Sequence, residues 1–189
     1  MDLIAAEAKV SKQTIYNHFH SKDELFKAII SDMTTALVVP LSISEAAAST
    51  PQKLLHSFAC DFLKLMLKPS SLALYRLIVA ESARVPELGA TLYSAGAGQL
   101  IHKLAGYLEW ETKRGRLAVE NTEGAAELFI GMLTGRLRFR VLVGDIETPG
   151  EADLKKRATF AVSCFLTLFA PASVEPISVE PNRPPGYSR

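Results

Sequence analysis

The side chains best suited to bind another molecule lie close together near the start of the chain. Six consecutive or near-consecutive residues can donate hydrogen bonds and none is acidic: Lys12, Gln13, Thr14, Tyr16, Asn17 and His18. Apolar Ile15 and Phe19 stand four residues apart, which is the spacing of one buried helix face. A helix with this inner face and donors elsewhere suits the DNA major groove, which phosphates flank on both sides. The pattern therefore predicts a DNA-binding helix.

Two serines are placed to begin the helices that would position these side chains. Ser11 precedes the donor-rich stretch and Ser21 precedes the next apolar run, and serine is a favoured N-cap. Glu24 follows Ser21 at the spacing of a capping box. Lys22 puts a positive charge in the first turn, against the helix dipole, which favours contact with a phosphate. An ordinary exposed lysine is the alternative.

Other chemistry is poorly supported. His18 and His20 lie about 200° apart around a helix, so they do not converge on a metal ion, and neither a metal nor a cofactor is expected. The sequence has no nucleophile elbow, no Walker loop and no dinucleotide-binding glycine motif after a strand. The four histidines (His18, His20, His56 and His102) form no base–nucleophile set. An enzyme is therefore not expected.

Composition and hydropathy indicate a soluble globular protein. Among 189 residues, 48% are apolar and 22% charged, and 21 basic against 20 acidic side chains give a net charge of +1. That balance excludes nucleic-acid or membrane binding by overall basicity. No apolar stretch approaches the roughly 20 residues of a membrane span. Without a signal peptide or a cysteine framework, we expect a cytoplasmic protein with Cys60 and Cys164 buried and reduced.

Apolar residues recur at helical spacing along most of the chain, and no strand-like alternation appears, so the fold is predicted to be all-α. Thr50 followed by Pro51 predicts a helix start, and Ser70 or Ser71 predicts the next. Three further helices are expected over about 87–114, 121–144 and 151–169. Residues 171–189 hold five of the ten prolines and are predicted to be a disordered tail.

Two segments resemble a known family. Thr-Ile-Tyr-Asn-His-Phe at 14–19 and Ser-Lys-Asp-Glu-Leu-Phe at 21–26 resemble the helix-turn-helix headpiece of TetR/AcrR-type transcriptional regulators. Residues 74–142 are similar to the ligand domain of AefR-like members. The resemblance implies a headpiece over residues 1–32 that lacks the family's first helix. It also implies a helical ligand-binding and dimerisation domain over 33–170.

The resemblance also implies roles for individual residues. In the headpiece, Gln13, Thr14 and Asn17 would read base edges. Lys12 would read a base edge as well or clamp the DNA. Tyr16, His18 and Lys22 match positions that hold phosphates. The full predicted DNA-binding set is Ser11, Lys12, Gln13, Thr14, Tyr16, Asn17, His18 and Lys22.

In the second domain, a small apolar or amphipathic inducer would bind inside the helical bundle. The candidate pocket residues are Phe62, Met66, Tyr75, Ile78, Tyr93, Trp110 and Met132. Plain core packing is the alternative for each of them. A homodimer is expected through the last two helices, which carry more apolar surface than one bundle needs. The candidate interface residues are Phe129, Leu133, Phe160, Cys164 and Phe165.

These expectations describe a ligand-responsive homodimer that binds a pseudo-palindromic operator in double-stranded DNA, most simply as a repressor. The rival is a truncated relative that binds a ligand or a partner subunit without binding DNA. Both share every core feature and differ only in their affinity for DNA. The sequence identifies neither the operator nor the inducer.

Overall fold

In the computed structural model, all regular elements of the described residues are helical, which confirms the all-α prediction. The structure describes residues 5–6, 8–41 and 47–171, without the side chains of Lys22 and Pro40. The predicted tail, apart from Pro171, lies outside the described residues. The α-helices are α1 (Lys12–His18), α2 (Lys22–Val38), α3 (Pro51–Leu67), α4 (Pro69–Glu81), α5 (Pro86–Leu92), α6 (Gly98–Lys113), α7 (Thr122–Leu142) and α8 (Glu151–Leu168). A 3₁₀ turn spans Val39–Leu41 and a π-helical turn spans Tyr93–Ala97.

Side-chain caps begin four of these helices, as the sequence predicts. The Ser11, Ser21 and Thr50 hydroxyls accept the backbone N–H three residues ahead, at 3.0, 3.0 and 3.3 Å. Asn121 Oδ1 accepts the N–H of Gly124 at 2.9 Å. Each bond satisfies one of the N–H groups that a helix start leaves unpaired.

The predicted start of α4 at Ser70 or Ser71 is wrong. The helix begins at Pro69, and Lys68 before it is extended (φ −59°, ψ 136°) and makes no side-chain cap. Proline disfavours helical backbone in the residue before it and suits the first helical position itself. Ser71 therefore lies inside the first turn, and its side chain is buried.

A chain of phenylalanine rings fills the centre of the bundle. Successive ring centroids lie 5.9, 6.2, 4.8 and 4.7 Å apart along Phe62, Phe58, Phe129, Phe165 and Phe169. Helices α3 and α7, and α8 with its C-cap Phe169, contribute these rings. The contacts between the rings therefore join the three helices in one core. The aromatic contacts add to the large apolar area that each ring removes from water.

This core corrects part of the predicted dimer interface. Phe129, Leu133 and Phe165 are 0% exposed within one protomer, so they cannot contact a second copy. Their apolar faces are already used by packing within the protomer. Phe160 is 73% exposed and Cys164 is half-buried, so these two remain candidates.

The predicted helix over 87–114 is interrupted. Helix α5 ends at Leu92, the π-helical turn follows, and α6 runs from Gly98. Gly96 in this turn is buried against α2, and a β-carbon there would lie 3.0 Å from Cγ2 of Ile30. A wider turn with a small residue lets α2 pack closely at this point. As predicted, α6 ends just before Gly115, which has φ +69°.

Helix α7 is bent at Gly135, where the backbone is not helical (φ 41°, ψ −139°). The bend frees carbonyl groups one turn earlier, and Arg157 of α8 donates to the carbonyls of Leu133 and Met132, the latter at 3.1 Å. Arg76 of α4 donates to the carbonyl of Leu142 at the end of α7, at 3.0 Å. Arginines of neighbouring helices therefore satisfy the carbonyls that the bend and the helix end expose.

Helix α2 connects the two predicted domains without a break. The predicted boundary between residues 32 and 33 lies in the middle of this helix. The C-terminal half of α2 packs on the π-helical turn and on α6, with Ile30, Thr34 and Leu37 buried there. Within the described residues, no helix is long and apolar enough to cross a membrane.

Candidate nucleic-acid interface and cavity

Helix α1 presents the donor-rich face that the sequence predicts. Ile15 is 7% exposed and Phe19 is half-buried, so these two hold the helix to the protein. The other predicted DNA-binding residues of α1 and its cap are exposed: Ser11, Lys12, Gln13, Thr14, Tyr16, Asn17 and His18. The side chain of Lys22, the remaining member of that set, lies outside the described residues.

Two pairs of polar side chains on this face bind each other. Gln13 Nε2 donates to Asn17 Oδ1 at 3.0 Å across one helical turn. The hydroxyls of Ser11 and Thr14 lie 2.7 Å apart, and Ser11 also accepts the Thr14 N–H. The first pair fixes two amide groups side by side on the outer face. The second pair ties both hydroxyls to the start of the helix, so capping is their role in this structure.

The start of α2 departs from the predicted capping box. Ser21 accepts the N–H of Glu24, but the Glu24 carboxylate accepts the N–H of His20 at 2.8 Å rather than that of Ser21. This backbone hydrogen bond, assisted by the His20 ring at 3.2 Å, lowers the pKa of Glu24 below its ordinary value. The carboxylate thus fixes the link between α1 and α2. No cluster of metal-ligating side chains occurs among the described residues.

A cavity of about 220 Å³ lies between α2, α3, α4, the π-helical turn, α6 and α7. Four of the predicted pocket residues line it: Phe62, Met66, Tyr75 and Ile78. Helix α2 contributes Ile30, Met33, Thr34 and Leu37 to the same wall. The cavity therefore touches the helix that follows the donor-rich helix α1.

The other three predicted pocket residues do not line this cavity. Tyr93 is 63% exposed, because the π-helical turn rotates it to the surface. Trp110 packs under the guanidinium groups of Arg114 and Arg116, at 4.5 and 5.3 Å from its ring centroid. Met132 packs against the phenylalanine core instead. These three residues therefore lie outside the wall of this cavity.

Sequence reasoning missed the two polar residues that matter most in the wall. Arg138 lines the cavity with its guanidinium carbon 4.0 Å from the Tyr75 ring centroid. Burial lowers its pKa. Ser71 lines the cavity as well. The bend at Gly135 changes the direction of the residues after it, and no local pattern in the sequence signals where Arg138 then lies.

Two family models match the chain. Residues 53–171 match the C-terminal domain of AefR-like transcriptional repressors, and residues 1–29 match the tetR family of bacterial regulatory proteins. The first match alone covers more than half of the chain. The chain belongs to the TetR family. As a TetR-family protein it is a transcriptional regulator, and α1 and the start of α2 lie in the segment that matches the tetR family model.

Solved structures agree with the TetR assignment. A structure assigned to the TetR-family regulators of Mesorhizobium loti MAFF303099 superposes with a TM-score of 0.73 at 26% identity, covering 88% of this chain and 84% of that one. The flavonoid-responsive regulator FrrA superposes with a TM-score of 0.70 at 28% identity, covering 92% of this chain and 87% of that one. A TetR regulator from Agrobacterium tumefaciens superposes with a TM-score of 0.67 at 28% identity, covering 89% of this chain and 82% of that one. No curated protein matches the chain.

Proposed function

We propose that this TetR-family regulator is a repressor that binds a pseudo-palindromic operator as a homodimer and releases it when a small ligand enters the cavity. Residues 1–32 would bind the DNA, and residues 33–170 would bind the ligand and dimerise. The observation that carries the proposal is the course of α2. It starts beside the donor-rich helix α1 and ends as a wall of the cavity.

On DNA, α1 would lie in the major groove. The paired amides of Gln13 and Asn17 have the donors and acceptors that read base edges, adenine above all. Tyr16, His18 and Lys22 would bind phosphates on either side, with Lys12 reading or clamping. Because phosphate contacts position the protein and base contacts specify the sequence, both groups are needed for operator binding.

The cavity would control DNA binding through α2. Ile30 of α2 lies so near Gly96 that a β-carbon there would be 3.0 Å from it, so a displacement of α2 would press on the π-helical turn. A ligand that fits better when α2 is displaced would favour a headpiece position that no longer matches the operator. The ligand can shift this equilibrium only by the difference in its affinity for the two states. The neighbour FrrA is flavonoid-responsive, which supports a small-molecule signal here.

A homodimer would set the distance between two recognition helices. Two copies of α1 would then meet successive major grooves about 34–36 Å apart. The corrected interface uses outward side chains of the last two helices. Phe160 of α8 is 73% exposed and Leu128 of α7 is 42% exposed. Pairing these faces between two copies would remove large apolar side chains from water.

Fluorescence anisotropy tests this proposal. The purified chain is titrated into labelled DNA from the region upstream of its own gene, at about 50 mM and 200 mM salt, because phosphate contacts make DNA affinity fall with salt. Random DNA of equal length is the control. Tight binding to the upstream DNA that weakens with salt is expected. Equal, weak affinity for both DNAs would contradict operator binding. It would favour the alternative, a truncated relative that binds a ligand or a partner subunit but not DNA.

A further inference from the structure

The cavity contains buried polar atoms that the protein leaves without a partner. Across the described residues, three buried side-chain nitrogen or oxygen atoms have no hydrogen-bond partner: Arg138 Nε, Ser71 Oγ and Tyr107 Oη. The first two belong to residues that line the cavity, and Tyr107 does not line it. Buried polar groups are nearly always satisfied, so two exceptions beside one cavity mark a polar part of its wall that the protein itself does not satisfy.

The rest of the cavity wall gives these two atoms no hydrogen-bond partner. The Thr34 and Thr134 hydroxyls donate to carbonyls of their own helices, each at 2.9 Å, and bind neither Arg138 Nε nor Ser71 Oγ. The other lining residues, Tyr75 apart, are apolar or glycine, and the described wall holds no carboxylate that could pair with Arg138. Arg138 is half-buried, and a partly desolvated cation without a counter-ion is stabilised when an anion binds.

The position of Arg138 indicates the shape of that anion. The guanidinium carbon lies over the Tyr75 ring, 4.0 Å from the ring centroid. The N–H donors radiate in the guanidinium plane, and a ligand in the cavity would approach the terminal Nη atoms, because Nε is shielded from water-sized groups. A planar carboxylate matches this fork by accepting two parallel hydrogen bonds, which a spherical anion or a neutral group cannot do equally well.

The volume of the cavity limits the rest of the ligand. An apolar protein cavity of about 150 Å³ holds benzene, and pockets for drug-sized ligands begin at about 300 Å³. At about 220 Å³, this cavity has room for one substituted ring. Phe62, Met66 and Ile78 provide an apolar surface for it.

We propose that the cavity binds a small aromatic carboxylate, with the acid group on Arg138, a ligand oxygen on Ser71 and a single substituted ring against the apolar wall. This assignment rests on the proposed ligand control of DNA binding and names its chemical class. Neutral analogues would bind less tightly because they leave Arg138 without a counter-charge. Cationic analogues would be excluded, since Arg138 carries the same charge.

Calorimetric titration of the full chain without DNA tests this inference. The probes are 4-propylbenzoate, its neutral isostere 4-propylbenzamide and the cation 4-propylbenzylamine. The benzoate is expected to bind at least about tenfold more tightly than the amide, since hydrogen bonds between charged groups are roughly twice as strong as neutral ones. Binding of the amine is not expected. An affinity for the amide equal to that for the benzoate, or no heat from the benzoate at millimolar concentration, would overturn the carboxylate assignment.

Matched variants locate the acid group. R138M keeps a long side chain and removes the half-buried cation, so it should fold and lose the preference for the benzoate over the amide. R140M on the same helix removes only an exposed ion pair with Asp145 and should keep that preference. A preference for the benzoate in R138M equal to that of the wild type would place the acid elsewhere and refute the assignment. Because no DNA is present, these results do not depend on operator binding, which the anisotropy experiment tests separately.

Discussion

The terminal nitrogen Nη2 of Arg157 lies 2.7 Å from the point where a β-carbon on Gly135 would stand. Gly135 bends α7 with a backbone conformation of positive φ that other residues rarely adopt. Arg157 fills the space beside the bend and donates to the carbonyl of Met132. One glycine and one arginine on neighbouring helices therefore fix the bend together, and the bend directs Arg138 to the cavity.

The substitution G135A should destabilise the protein. The new β-carbon would displace Arg157, and alanine would be strained at this φ, so we expect a loss of about 1–3 kcal/mol in the free energy of unfolding. Urea unfolding followed by circular dichroism measures it. G106A in α6 is the control, because its β-carbon would meet nothing within 4 Å. A stability of G135A equal to that of G106A would mean that the bend is not held as described.

The helix starts at Ser11, Ser21 and Thr50 were predictable from the sequence because a side-chain cap is a local interaction, whereas α4 begins without one. Ser11, Ser21 and Thr50 each bond to a backbone group three residues ahead. The polar part of the cavity was not predictable, because Arg138 and Tyr75 meet only after α7 has bent and packed on α4. The same holds for Trp110 and Tyr93, whose apolar character fits a core, a pocket or a surface equally well until neighbouring helices are placed.

The carboxylate of Glu111 is 0% exposed, and Arg116 binds it through two nitrogens at 2.5 and 2.8 Å. R116M would leave a buried charge uncompensated, and we expect a loss of about 3–5 kcal/mol in the free energy of unfolding. The double variant E111L/R116M should recover most of this loss, because it removes both charges. A double-mutant cycle in urea measures the coupling between the two residues.

The matched control for this ion pair is exposed. Lys113 and Glu109 lie 2.6 Å apart on the outer face of α6. Because water screens both groups, K113M should change the free energy of unfolding by less than about 1 kcal/mol. If R116M and K113M lower the free energy of unfolding by similar amounts, burial of Glu111 has little energetic consequence.

The link between α1 and α2 should weaken in acid. The His20 backbone N–H lowers the pKa of Glu24 in the folded protein, so the ionised carboxylate stabilises the fold. This contribution to stability is fully present at a pH above the ordinary pKa of 4.5. It is lost as the pH falls through the lower pKa that Glu24 has in the folded protein. NMR titration of the His20 amide shift should report the transition below pH 4.5. E24Q should abolish it, whereas E127Q on the exposed side of α7 should leave it unchanged.

Base readout and phosphate contact should separate by mutation in α1. Q13A should cost about 1–3 kcal/mol on the preferred operator and relax the base preference at one position per half-site. Y16A and K22A should weaken binding to all DNA sequences, and K22A should reduce the salt slope by about one. Selection from random DNA and salt titrations measure these effects, with Q52A in α3 as the control. An unchanged consensus for Q13A would argue against base reading.

The two predicted interface phenylalanines of α8 should behave in opposite ways. Phe160 is 73% exposed, so F160E should dissociate the homodimer with little change in the core. Phe165 is 0% exposed, so F165A should cost about 3–5 kcal/mol in the free energy of unfolding through the cavity it leaves. Sedimentation velocity at micromolar concentration gives the oligomeric state, and urea unfolding gives the stability. A wild type that sediments as a monomer would refute the homodimer. A dimeric F160E would show that the copies pair through a different surface, because a charge at the centre of an apolar interface is not tolerated without a partner.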